Sequence, residues 1–413
     1  MRFLVAAPLS FFPIISNFNA FELLSQRGVS FRLGDALWLY GLIVLTFFVR
    51  LKIDKYAATA FISFLLFSFY AVTVSAVYDE TTGLLKTIRL VQTLSWGIVA
   101  YYVFQLSFLY RNVLVSFVVA ATALGILSIF VRLQNPNIHR FVALYGSAGG
   151  EGLGRQASFN EIAGFLTISI IVIVVCIANN KELLRIGKIK GYGYFLLGFI
   201  ALLSTNSRSG LIAFLISFPF ALLSSCSVHI LSRFSPKRIA FTLALTSISM
   251  IVFSLYFSKF FRLNRYFDTF SEGTGSMLSI YQRLVIWADF LSVLPARASV
   301  FFLGKGKEWI PSILEVPTAE NFFFDSIAAY GVVGFVPLII FVYMPFFRAI
   351  TGQNLLLWQK GLIIASTVAA SLFSLTGNVL VDPMLGGSFF ILIYGTLGYV
   401  SQKSTSSNRR IFL

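Results

Sequence analysis

Glu161-Ile162-Ala163-Gly164-Phe165-Leu166-Thr167-Ile168-Ser169-Ile170-Ile171-Val172-Ile173-Val174-Val175-Cys176-Ile177-Ala178 decides the architecture of this chain. Only Thr167 and Ser169 interrupt its apolar character after the opening carboxylate, and a bilayer core takes roughly 20 such residues as helix. The same criterion applied along the chain finds twelve runs, near 3–20, 34–50, 56–77, 88–109, 113–132, 161–178, 191–206, 209–230, 239–258, 322–347, 359–376 and 384–401. The first contains Pro8 and Pro13 behind Met1-Arg2 and resembles a secretory signal. No small-residue cleavage site is evident after it and eleven more runs follow, so it is read as a retained helix. The expectation is an all-α polytopic membrane protein of about twelve spans, one transmembrane domain over residues 1–413 without internal repeats.

Composition agrees with that reading. Of 413 residues, 57% are hydrophobic and 12% charged, 46 are Phe, and the mean hydropathy is +0.85. A soluble domain carries about 25% charge, so a soluble globular protein is excluded. The two cysteines, Cys176 and Cys226, each lie in a long apolar run, which indicates no disulfide framework and excludes a Cys-based metal site. His139 and His229 are the sole histidines and form no metalloprotease-type helical pair. Neither metal nor cofactor is expected, nor is nucleic acid a partner.

The net charge of +16 is informative once divided by side. With the N-terminus in the cytoplasm, the cytoplasmic connections hold 17 cations and two acids, Asp54 and Glu182. The opposite face holds 15 cations and 14 acids. Short cation-rich connections face the cytoplasm, so both termini are placed inside. Two outer segments are too long for simple turns, 133–160 and 259–321. The second carries Met277, Ile280, Tyr281, Leu284, Trp287, Leu291 and Leu294 at three-to-four spacing, with Gln282, Arg283 and Asp289 elsewhere around the wheel. That pattern predicts an amphipathic helix along the outer membrane surface.

The predicted spans hold almost no acids or lysines, which disfavours a membrane-embedded proton relay. Polar clusters stand instead at outer helix ends. Gly154-Arg155-Gln156-Ala157-Ser158-Phe159-Asn160-Glu161 opens span six. Ser158 and Glu161 have capping-box spacing, whereas Arg155 serves no cap and adds charge beside a helix N-terminus that is already positive. Ser204-Thr205-Asn206-Ser207-Arg208-Ser209-Gly210 joins spans seven and eight. It reads either as a hairpin with Asn206 or Ser207 as N-cap and Arg208 snorkelling, or as a phosphate cradle beneath the free N–H groups of span eight. At span ten, Glu320 is suited to the helix N-terminus, and Asn321 and Asp325 share one face. Asp325 calls for a cation or donor, with Arg208 or Arg283 as candidates. Asp382 reads as a cap before Pro383, and Lys86 and Arg89 as interfacial anchors. Arginines and helix N-termini gathered on one face suit a diphosphate, which guanidinium groups bind bidentately and stabilise as a leaving group without a metal.

The order Arg155-x-x-Ser158-Phe159-Asn160-Glu161, Ser207-Arg208-Ser209-Gly210, Tyr281-Gln282-Arg283-x-x-x-Trp287, Gly304-Lys305-Gly306, and Ala319-Glu320-Asn321 with Tyr330-Gly331-x-x-Gly334 resembles the bacterial O-antigen polymerase and O-antigen ligase superfamily. It covers roughly residues 150–345. The resemblance implies a metal-independent glycosyltransferase of the C-type membrane fold in the bacterial inner membrane, acting at its periplasmic face on undecaprenyl-diphosphate-linked oligosaccharides. It implies Arg208, Arg283 and Arg155 as holders of the donor diphosphate. Asn160, Ser207, Asn321 and Asp325 are further candidate substrate contacts. Ligases are expected to carry histidine where this chain has Glu320, so the resemblance favours a polymerase of surface polysaccharide, with Glu320 as the candidate base on an acceptor hydroxyl. Expected partners are the lipid-linked donor and acceptor, membrane lipid and a chain-length-regulating protein. The alternatives are an O-antigen ligase acting on lipid A-core and, in a different class, a polysaccharide flippase. A flippase should line a central cavity with charge from many helices and show repeat symmetry.

Overall fold

A computed structural model describes residues 6–17, 22–26, 29–46, 53–134, 140–142, 156–179, 183, 188–223, 275–293, 298–309, 321–352, 355–377, 380 and 385–410. The chain folds as an all-α membrane protein. Among the described residues four helices are long and apolar enough to cross a membrane, over Lys55–Tyr78, Phe108–Gln134, Glu161–Ala178 and Phe322–Thr351. Shorter apolar helical stretches cover Asp35–Leu45, Ile189–Ser204, Arg208–Leu222 and Leu385–Ser401. Each predicted run contains described helix except 239–258, which lies outside the described residues.

In chain order, a 3-10 turn (Ala7–Phe11) leads into α1 (Phe12–Asn17), a hairpin of β1 (Glu22–Gln26) and β2 (Val29–Arg32), and α2 (Leu33–Leu45). Then come α3 (Lys55–Tyr78), α4 (Thr81–Val103), α5 (Ser107–Gln134), a second hairpin of β3 (Arg140–Val142) and β4 (Gln156–Ser158), and α6 (Phe159–Ala178). They are followed by α7 (Lys188–Ser204), α8 (Arg208–Leu223), α9 (Gly275–Val293), α10 (Ala298–Leu303), α11 (Phe322–Thr351), α12 (Leu357–Ser374) and α13 (Leu385–Arg410). The hairpins were not anticipated: segment 133–160, expected from the sequence to lie outside, contains antiparallel pairing of Arg140 with Ser158 and of Val142 with Gln156, which brings the chain back to the start of α6.

Close helix packing replaces the hydrophobic drive that lipid does not supply. α4 and α13 run parallel at such short range that a Cβ at Gly97 would stand 2.8 Å from the Tyr394 ring, and one at Gly387 3.4 Å from Trp96. Tyr394 is fully buried, stacks on Phe341 of α11 at 4.9 Å, and donates its hydroxyl to Phe341 O at 2.6 Å. α11 lies antiparallel along α3, with Phe67 edge-on to Tyr330 and Phe64 against Phe341. α12 packs against α6, α8 and α11.

These pairings give the bundle two distinct ends. One carries Asp54, whose carboxylate caps α3 by accepting from Tyr56 N and Ala57 N, each at 3.0 Å. The same carboxylate accepts from Tyr101 Oη at 3.0 Å and pairs with Arg348 in the last turn of α11. The opposite end gathers the first turns of α4, α6, α8, α11 and α13, together with the α3–α4 corner and the turn after α10. The last turns of α3, α5, α7 and α12 meet them there, so the helix dipoles balance over the end as a whole and an anion is favoured only locally, at the first turn of an individual helix.

Candidate functional site

The turn from α7 to α8 is built from short polar side chains that bond their own backbone. Ser204 Oγ donates to Ala201 O at 2.7 Å and Thr205 Oγ1 to Leu202 O at 2.6 Å, closing the last turn of α7. Asn206 then takes a left-handed backbone, φ 51°, a conformation asparagine tolerates better than most residues. Ser207 is the N-cap: its Oγ accepts from Gly210 N at 3.1 Å and lies 3.1 Å from Ser209 Oγ. Of the two predicted caps, Ser207 is therefore the one used. Residues 204–207 are all buried, and Asn206 Oδ1 has no hydrogen-bond partner among the described residues, an unfilled acceptor within the turn. Arg208, the first residue of α8, is half-buried and makes an interaction of its own.

Two neighbours fix this turn. Arg132, in the last turn of α5 and 4% exposed, donates from Nε to Ser204 O at 2.9 Å. A Cβ at Gly210 would stand 2.8 Å from Ala163 Cβ, and Thr167 Oγ1 donates to Gly210 O at 3.3 Å. The first turn of α6, which carries Asn160 and Glu161, therefore packs directly against the first turn of α8. Arg132 escaped the sequence reading because its bonding partner is a backbone carbonyl 72 residues away. A cation in the last turn of a span was the available signal.

α11 begins with Asn321, 2% exposed, whose Oδ1 accepts from Phe323 N at 3.0 Å and Phe324 N at 3.3 Å. Its Nδ2 reaches Leu375 O at 3.5 Å, tying the start of α11 to the end of α12. The oxygen of this predicted substrate contact is thus occupied in capping. The predicted amphipathic segment is helix, α9, and it docks on the same start: Trp287 and Phe290 lie 5.8 Å and 5.3 Å from Phe324. Arg283 is one turn before Trp287 on that face and half-buried, while Leu284 and Leu291 remain about half exposed. The aromatic contact thereby brings Arg283 to the end of the bundle that holds Arg208.

The turn after α10 carries the Gly304-Lys305-Gly306 stretch that forms part of the family resemblance. Gly304 and Gly306 have φ of 75° and 79°, and Gly331 opposite has φ 60° within α11. These left-handed positions let the two backbones approach closely enough for Lys305 N to donate to Ala328 O at 3.2 Å and Gly306 N to Ala329 O at 3.0 Å. Two carboxylates then clamp the turn reciprocally to the α3–α4 corner. Asp79 accepts from Lys307 N at 3.1 Å and Glu308 N at 3.0 Å. Glu308 accepts from Glu80 N at 2.8 Å and Gly83 N at 2.9 Å, capping α4 from a distant part of the chain while the Glu80 side chain caps nothing. Lys307 projects beside Tyr330, its Nζ 6.0 Å from the ring. Burial pulls its ammonium down to about 8 against the opposing influence of Asp325 and Asp79, and Lys86 depresses it further. Asp325, for which Arg208 or Arg283 was the expected partner, thus acts electrostatically on Lys307 and makes a further interaction besides.

Arg155 and Glu320 lie outside the described residues, as do His139, His229 and Asp382, and Asn160 is described only as part of α6. Lys86 is exposed, and Arg89 stands 3.8 Å from Asp35, which also accepts from Gln92 Nε2 at 2.7 Å. Among the described residues no group of three or more His, Cys, Asp or Glu could hold a metal ion. No protein-family model matches the chain, and no curated protein matches it.

Proposed function

We propose that this protein is a surface-polysaccharide polymerase that joins undecaprenyl-diphosphate-linked oligosaccharides. The observation that carries the reading is the buried, rigidly bonded Ser204–Ser209 turn, with Arg132 behind it and Arg208 at the N-terminus of α8, at the same end of a membrane bundle as the docked Arg283 helix. Guanidinium groups beside helix N-termini hold a lipid diphosphate at headgroup depth without a metal. In the reaction, the bond from the donor's anomeric carbon to its phosphate oxygen breaks, and that carbon bonds to a hydroxyl oxygen of the acceptor. Undecaprenyl diphosphate leaves with the electron pair, and Arg208 and Arg283 stabilise its charge. Glu320 takes the hydroxyl proton.

The finer topology belongs to the same proposal: twelve spans, both termini in the cytoplasm, a C-type glycosyltransferase-like plan, and the Ser207 end facing the periplasm of a bacterial inner membrane. Impermeant maleimide on intact cells should label cysteine at exposed Lys86 and leave cysteine at exposed Lys55 unlabelled until permeabilisation. The reverse pattern refutes the orientation.

Deletion of the gene should leave lipopolysaccharide with at most one repeat unit, whereas loss of single units as well would favour a ligase or flippase. Arg208→Ala should abolish extension of a defined lipid-linked repeat by purified, normally inserted protein, and Arg208→Lys should rescue only part because one ammonium lacks the bidentate fork. Wild-type chain lengths in the alanine variant refute the diphosphate cradle.

A further inference from the structure

The turn after α10 presents a cation that the donor site leaves unused. Its backbone is fixed by four N–H donors, those of Lys305 and Gly306 to α11 and those of Lys307 and Glu308 to Asp79. The Lys307 side chain is therefore carried on a rigid base. Its ammonium has three protons to donate. Among the described residues it makes one hydrogen bond, a long one of 3.4 Å to Lys86 O, and no carboxylate stands within ion-pair distance. Asp79 is close enough to act on it, but both Asp79 oxygens are engaged by backbone N–H groups. The other charges that act on it are Asp325, whose attraction is the largest of them, and Lys86, of like sign and exposed on the second turn of α4. Asp325 and Asp79 offset part of this charge, but among the described residues neither fills the ammonium's remaining donors, so an anion that bonds both Lys307 and Lys86 would complete them.

We infer that Lys307 and Lys86 form a second phosphate-binding site, which holds the diphosphate of the acceptor while Arg208 and Arg283 hold that of the donor. The assignment rests on the polymerase reading, because joining two lipid-diphosphate-linked molecules requires two diphosphates at one membrane end together. The residue types fit the division of labour. The donor diphosphate departs and gains charge in the transition state, which favours guanidinium forks. The acceptor diphosphate keeps its bond to sugar throughout, so it needs only positioning, for which point charges on lysines suffice. The Tyr330 ring beside Lys307 and the α4 N-terminus capped by Glu308 bound the site on two sides.

The test counts bound lipid. Full-length protein in phosphatidylcholine nanodiscs is titrated with undecaprenyl diphosphate and observed by native mass spectrometry. Wild type should hold two molecules, Lys86→Gln/Lys307→Gln one, and Arg208→Ala one. Because the Lys307 side chain carries none of the turn's backbone bonds, and Lys86→Gln alone alters an exposed residue, the single variants report binding even if the double variant folds poorly. A lysine variant that still holds two with unchanged affinity overturns the inference while leaving the polymerase reading intact. An Arg208→Ala protein that also holds two overturns that reading as well. Phosphatidylglycerol that displaces the second molecule at equal concentration makes the lysine pair a phospholipid headgroup site and likewise overturns the inference. In two-substrate kinetics, Lys307→Gln should raise the acceptor KM about tenfold or more, the effect of losing one charge-assisted bond, with donor KM and kcat unchanged. A fall in kcat at constant acceptor KM refutes the positioning role.

Discussion

Replacing Asp79 by alanine should loosen two segments that are more than two hundred residues apart in sequence. The substitution removes the acceptor of Lys307 N and Glu308 N. A hydrogen bond to a charged group contributes about 1.5–3 kcal/mol. Two of them, partly replaced by water at this half-open position, amount to about 3 kcal/mol. At about 1.4 kcal/mol per decade, local opening of residues 304–309 should become roughly a hundredfold more frequent. The clamp is reciprocal, so the effect should not stop there. Once the turn lifts, Glu308 no longer reaches Glu80 N and Gly83 N, and the first turn of α4 loses its cap.

Hydrogen–deuterium exchange in nanodiscs, followed on peptides covering 80–84 and 304–309, measures both segments in one experiment. Asp79→Ala and Glu308→Ala should each accelerate exchange in both. The double variant should cost little more than either single one, because the two carboxylates support one interface and cannot be lost twice. Asp79→Asn, which keeps one acceptor oxygen, should fall between, near a tenfold acceleration. If Asp79→Ala accelerates exchange only at 307–308 and leaves Glu80 and Gly83 protected, or if the single effects add, the clamp is two independent caps and the reasoning fails.

At the α6–α8 contact, Gly210→Ala should depress chain extension and lower the thermal midpoint, because its Cβ meets Ala163 Cβ at 2.8 Å, and Ala163→Gly in the same protein should restore both. At the opposite end, Asp54→Ala should destabilise more than Arg348→Met, by about 2 kcal/mol, since it strips a cap and leaves the largely buried Arg348 guanidinium unpaired; a denaturant series in which the double variant is no better than Asp54→Ala would refute the pairing argument. Lys307 predicts a pH response with a definite sign. Its folded ammonium is depressed from 10.5 to about 8, so between those values the unfolded chain holds more protons and stability rises with pH, while below about 8 the desolvation cost is fully present. Binding of undecaprenyl diphosphate at the lysine pair should weaken above about pH 8 in wild type and not in Lys307→Gln, with burial lowering the midpoint most, Asp325 and Asp79 opposing it and Lys86 adding to it.

The helices were legible because lipid imposes a length on every span and forces its backbone to bond within itself. Runs such as 56–77 and 322–347 became Lys55–Tyr78 and Phe322–Thr351 with shifts of a few residues at their ends. The amphipathic segment around Trp287 was legible for the same reason of period. What its pattern could not tell was the partner: the face reads equally well toward lipid headgroups, and the structure turns Trp287 and Phe290 onto Phe324 instead. The Ser204–Gly210 turn was legible as a turn, while the choice between Asn206 and Ser207 as cap depended on the left-handed backbone at Asn206, which puts Ser207 Oγ within 3.1 Å of Gly210 N.

The reciprocal clamp and Arg132 left almost no trace in sequence because each bonds a backbone atom far along the chain, and a backbone partner has no residue type to recognise. Their consequence reaches the charge count itself. On the topology expected from the sequence, the outer face is nearly neutral, 15 cations against 14 acids, which suggests that each cation has a carboxylate to meet. The structure divides those acids differently. Both oxygens of Asp79 and both of Glu308 accept from main-chain N–H groups, and Asp35 accepts from Gln92 while standing 3.8 Å from Arg89. Carboxylates that hold the backbone in place still contribute charge, but they do not fill the donors of a neighbouring ammonium. Lys307 is the result: a cation between two acids whose side chain, among the described residues, bonds only to a carbonyl. A face that is neutral by count can therefore still present open donors to an anion, and where those donors sit is a property of the clamp rather than of the composition.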